Sequence, residues 1–97
     1  MTETDELSFV SMDGRTLPHS HAELVQTPRG WNVELDDVPH DSCPLLKREC
    51  EIALEAWDGD RYAGTVVADF VSAERYVLLT GIGALRQIAT RRRGVGG

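Results

Sequence analysis

The sequence is short of cysteine, of aromatic residues and of long apolar runs. Its 97 residues include 2 Cys, 2 Trp, 2 Tyr and 2 Phe. Two thiols, Cys43 and Cys50, cannot build the kind of disulfide framework that staples small secreted domains. They are expected to be reduced, in a cytoplasmic protein. No stretch approaches the roughly 18 apolar residues that a membrane-crossing helix needs. The opening segment, Met-Thr-Glu-Thr-Asp-Glu-Leu, is acidic where a secretory signal requires an apolar centre. P-loop, nucleophile-elbow, HExxH and CxxC patterns are all missing. Gly81-Ile82-Gly83 begins like a dinucleotide fingerprint, but Arg86 stands where its last glycine belongs. Two domains of half this length would each be too small to bury a core, so one domain is expected.

The charge is present but unevenly placed. The chain has 10 Lys+Arg against 16 Asp+Glu, a formal charge of −6. Arg86, Arg91, Arg92 and Arg93 all fall in the last dozen residues, where there is no acid. Residues 1–85 therefore hold six basic and sixteen acidic residues, a net −10. Such a body is repelled by nucleic acid and by anionic lipid, and only the basic end escapes that exclusion.

Period-two alternation dominates the pattern along the chain. Residues 1–6 read as a flexible leader. Leu7–Met12 reads as a strand running into Asp13-Gly14, a tight hairpin signal. Ala22–Thr27 leads through Pro28-Arg29-Gly30 to Trp31–Leu35, in which Trp31, Val33 and Leu35 share one face. Residues 36–47, with Pro39 and Pro44, form the longest loop-like stretch. Residues 44–57 carry helix formers, yet Cys50, Ile52, Leu54 and Ala56 alternate with Glu49, Glu51 and Glu55. A strand sends every acid outward and every apolar residue inward, and so is preferred. Asp58-Gly59-Asp60 turns it into Arg61–Val71, and Ser72–Arg75 turns that into Tyr76–Ile82. Ala84–Arg91 reads as a short C-terminal helix docked through Leu85 and Ile88, and residues 91–97 as a disordered tail. The expected fold is all-β: an antiparallel meander of about six strands over residues 7–90, closing into a small barrel.

In strand order and spacing this layout resembles PilZ domains, six-stranded barrels with a C-terminal helix. Neither half of that family's cyclic-di-GMP signature is present. No RxxxR precedes the barrel, and Asp37–Ser42 (DVPHDS) departs from the second motif, so the resemblance implies no ligand. Asp58–Val67 (DGDRYAGTVV) is similar to a hairpin of SH3-like barrels, a signal of fold rather than of function.

The candidate site residues form four groups. Asp36, Asp37 and Asp41, with the outward glutamates of 49–55, form an acidic surface suited to a basic partner. Trp57 falls on the outer register at a strand end, where an aromatic makes a good partner contact. Arg86 and Arg91–Arg93 supply a cationic end. His19 and His21, spaced i and i+2, would share a face on a strand, and His40 with Cys43 could complete a metal shell, though the spacing matches no standard zinc pattern. No cofactor and no catalytic residue is expected. The expected function is a non-enzymatic binding or assembly module that contacts a protein partner or a second copy. The alternatives are a barrel that binds a small anion or nucleotide, and a modifier whose Gly96-Gly97 end resembles that of ubiquitin-like proteins.

Overall fold

The computed structural model describes residues 2–89. Seven antiparallel strands make up most of it: β1 (Glu3–Met12), β2 (Arg15–Thr16), β3 (His21–Thr27), β4 (Gly30–Asp36), β5 (Glu49–Ala56), β6 (Arg61–Val71) and β7 (Val77–Ala89). The sheet order is β2-β1-β3-β4-β7-β6-β5, and an additional β1–β5 pairing joins its ends. Six strands thus form a closed barrel, and β2 adds a short flap on β1. Closure removes most of the adhesive edges that an open sheet of this size would expose.

One strand makes the closure possible by changing partners. Residues Glu3–Glu6 of β1 pair with Gln26–Glu23 of β3. Beyond a register shift between Leu7 and Phe9, the rest of β1 pairs with β5, from Leu7↔Ala56 to Met12↔Ile52. A bulge of this kind bends a strand and increases its twist, which lets one strand serve both sides of a seam.

The alternation seen in the sequence is the inside–outside pattern of the barrel. Trp31, Val33 and Leu35 are buried, as are Cys50, Ile52, Leu54 and Ala56. Every buried residue among those described is apolar. The 37–48 loop closes one barrel end. There Val38 is fully buried, its N–H donates to the Arg75 carbonyl, and the Lys47 N–H donates to the Ala68 carbonyl.

Two sequence expectations are corrected. Residues 3–6 belong to β1 and are not a flexible leader. Their side chains are polar, but a ladder is made by backbone groups, and the outward carboxylates stay in water while β3 gains a partner. Nor does a helix begin at Ala84, because β7 continues as strand through Ala89. The leading part of β6 needs a neighbour on this side, and pairing with it outweighs the modest helix preference of Ala-Leu-Arg-Gln. Leu85 is partly buried against the core, whereas Ile88 stands 59% exposed, so only one of the two expected docking residues docks. Residues 91–97, with Arg91, Arg92, Arg93 and Gly96-Gly97, lie outside the described residues. Among the described residues no helix is long and apolar enough to cross a membrane.

Candidate functional site

The barrel has two unlike ends. The start of β1, the β3–β4 turn, the β5–β6 turn and the far part of β7 meet at one end, as the pairs Glu3↔Gln26, Leu7↔Ala56 and Arg61↔Ala89 require. The β1–β2 turn, the 37–48 loop and the β6–β7 turn meet at the other. The candidate residues divide between them: Trp57 and Arg86 at the first end, Asp36, Asp37 and Asp41 at the second. The acidic candidates and Trp57 therefore lie on two separate surfaces.

At the first end, β7 loses its neighbour on one side. Only Val77–Thr80 pairs with β4, against Leu35–Asn32. The next contact across this gap is a side chain, the Trp31 indole, whose Nε1–H donates to the Gly83 carbonyl at 3.0 Å. The ring lies flat over two glycines. A Cβ added at Gly64 would come within 2.7 Å of Cζ2, and one at Gly81 would come closer still. These glycines are required by the close approach of the indole. Gly83, by contrast, has φ +72, a left-handed conformation that glycine adopts without strain. Beyond it, Ala84–Ala89 is paired with β6 alone among the described strands. Ile82 at 40%, Ile88 at 59% and, after β5, Trp57 at 70% are exposed on this part of the barrel, while Leu45 and Leu46 are exposed in the 37–48 loop at the other end. Arg86 lies opposite Ala63 on the outer face.

At the second end a cavity of about 330 Å³ opens between the β1–β2 turn and the 41–50 segment. Arg15, Arg48, Thr16, Ser42, Asp13 and Asp41 supply its polar lining. Asp13 is committed to structure, since its Oδ1 accepts the Glu51 N–H at 3.0 Å. Cys43 and Cys50 are free thiols on the same wall. Burial pushes the Cys50 thiol up, reinforced by Asp13 and opposed by Arg48. Burial also raises Cys43, against the pull of Arg75. Thiols raised in this way stay protonated at neutral pH and are poor nucleophiles.

The expected histidine–cysteine shell does not assemble. The His19 ring Nδ1 lies 2.9 Å from the Leu17 carbonyl, before β3 begins. His21 points instead between two carboxylates, with Nδ1 3.5 Å from Glu6 and Nε2 3.2 Å from Glu23. His40 opens the single 3-10 turn, and Cys43 faces the Val38 carbonyl. Pro18 and the bend at Ser20 break the strand geometry that would have put His19 and His21 on one face. Among the described residues no group of three or more His, Cys, Asp or Glu is arranged to hold a metal ion. Of the acidic candidates, Asp37 accepts a hydrogen bond from the Ser20 hydroxyl in a left-handed turn, while Asp36 ends β4 opposite His21.

The open stretch of β7 was not legible in the sequence, because a helix was expected there. The available signal was the pair of glycines flanked by apolar residues, which marks a bulged or closely packed strand as readily as its end. The chain matches no protein-family model, no curated protein and no solved structure.

Proposed function

We propose that this barrel is a non-enzymatic protein-interaction module of a reducing compartment such as the cytoplasm, and that it binds an extended segment along the free side of β7. The observation that supports this reading is the six-residue run Ala84–Ala89, which among the described residues has a strand on one side only and carries exposed Ile88 beside Arg86. An unpaired strand edge offers a row of N–H and C=O groups that another chain can complete, and neighbouring side chains then supply specificity. Burial that raises the Cys43 and Cys50 thiols argues against either as a nucleophile. Trp57, at the same barrel end, is a large rigid contact residue of the type that dominates interface energetics. Immobilised protein should capture a partner from the source lysate. Ile88→Lys, which puts a charge on an exposed position, should abolish capture while leaving the circular dichroism spectrum unchanged. Undiminished capture by that variant would refute the reading.

A second reading is favoured by the cavity at the other end. Neither Arg15 nor Arg48 forms an ion pair among the described residues, and two guanidinium groups beside Thr16 and Ser42 suit a small carboxylate or phosphate. Asp41 on the same lining opposes that reading. A thermal-shift screen with phosphate, nucleotides and cyclic dinucleotides distinguishes the two, because only the second reading expects a rise in melting temperature.

A further inference from the structure

We infer that the segment received by β7 is acidic and comes from a different protein rather than from a second copy of this chain. The inference rests on the edge-binding reading above and adds the chemistry of the occupant. The free side of β7 is bordered by positive charge from two directions. Arg86 stands on the strand itself. Arg29 stands at the tip of the β3–β4 hairpin, two residues before Trp31, whose indole reaches across the gap to Gly83. Both side chains are exposed and neither forms an ion pair among the described residues. No acid follows Glu74 anywhere in the sequence. The carboxylates of this barrel end, Glu3, Asp5, Asp58 and Asp60, act together on Tyr62 from β1 and the β5–β6 turn, across β6 from the free side of β7, so Arg86 and Arg29 are the charges that border the edge itself.

The same charges argue against self-pairing. Two copies joined edge to edge by β7 would run antiparallel about a two-fold axis. With that axis anywhere from Leu85 to Gln87, Arg86 stands opposite or diagonal to its own symmetry mate, at a spacing where like charges are unfavourable. An acidic strand in the same place puts a carboxylate opposite Arg86. Side chains directly opposite one another on antiparallel strands share a face, so Arg86 and Ile88 call for an acid and an apolar residue two positions apart. The occupant is thus an extended segment that carries an acidic and an apolar side chain two positions apart on one face, seated by backbone hydrogen bonds and selected by charge.

The test uses the full chain and two labelled peptides about nine residues long, a Glu–Val peptide repeating Glu-Thr-Val-Thr and a Lys–Val peptide repeating Lys-Thr-Val-Thr, so that charge and Val alternate on one face. Fluorescence anisotropy should show binding of the Glu–Val peptide alone, and hydrogen exchange should show new protection of the Ala84–Ala89 amides. Arg86→Glu should weaken that binding by about tenfold and restore binding of the Lys–Val peptide, as expected for reversal of one close charge pair. Arg29→Glu serves as an independent variant with the same expected direction. Equal affinity for both peptides, or protection elsewhere on the barrel, overturns the inference. Protection of Ala84–Ala89 that rises with protein concentration alone, together with sedimentation as a dimer, also overturns it but leaves edge binding standing. Absence of protection under every condition removes both.

Discussion

Two seams of this barrel have the same length and are held by different physics. The β1–β3 ladder and the β4–β7 ladder each contain four residue pairs. Across β4–β7 the inward positions are Val33, Leu35, Val77 and Leu79, all fully buried. Across β1–β3 one side is Glu3-Thr4-Asp5-Glu6, and only Leu24 on the facing strand is fully buried. The first seam is held by removal of apolar area from water, an effect almost indifferent to pH and salt. The second depends on backbone pairing and on how its charges are arranged. On its outer face Glu6 stands directly opposite Glu23, an arrangement that repels, and His21 sits between the two carboxylates. A ladder drawn from its hydrogen bonds alone would hide this difference.

The largest expected effect comes from emptying the apolar seam. Leu79→Ala should cost about 2–5 kcal/mol, read from urea denaturation, because it deletes a fully buried side chain and leaves a void. A cost under about 1 kcal/mol would show that β4–β7 is held by its backbone alone. Next is the place where that seam ends. Gly81→Ala pushes a methyl group into the Trp31 indole and should destabilise by about 1–3 kcal/mol, with a change in tryptophan emission as the ring is displaced. If emission and stability both stay constant, the indole does not seal the gap.

The smallest effect concerns the polar seam and depends on pH. His21 is raised above its usual value of about 6.5, chiefly by its hydrogen bond to Glu23 and further by the charges of Glu23, Glu6 and Asp36, with desolvation opposing. A group raised in the folded state contributes stability below its unfolded pKa and loses it as pH climbs through the folded value. The melting temperature of the wild type should therefore gain on His21→Gln as the buffer goes from pH 8 to pH 5.5, where the glutamates are still ionised. Asp5, whose carboxyl is raised by burial with help from Asp58, Glu3 and Asp60, stabilises both proteins alike as pH falls further and leaves their difference unchanged. A constant difference between the two proteins across this range would show that His21 is not a clasp.

The apolar seam could be read in the sequence and the polar one could not. Trp31, Val33 and Leu35 announce a half-buried strand by alternation, and Cys50–Ala56 does so against its own helix-forming composition, because only a strand separates its glutamates from its core residues. Thr-Glu-Thr-Asp-Glu has no such contrast. Its place in β1 follows from the need of β3 for a neighbour, which is a property of the assembled sheet. The extent of β7 was hidden for the same reason, since Ala84–Ala89 becomes a strand only where β6 is already present. Of the candidate residues, the exposure of Trp57 followed from its register at a strand end. The separation of Arg86 from Asp36, Asp37 and Asp41 required the topology.

The change of partner within β1 also governs the order in which the molecule can be made. The β3–β4 hairpin and the β5–β6–β7 meander can form from contacts close along the chain, on the fast side of folding. Joining β1 to β5 pairs residues about 45 positions apart, as in Val10↔Leu54, and that loop must close before the contact returns any stability. During synthesis Leu-Ser-Phe-Val-Ser-Met emerges well before its partner strand exists. For those seconds the strand that later locks the barrel is an unpaired apolar segment, and slowing translation between β4 and β5 would lengthen that exposure.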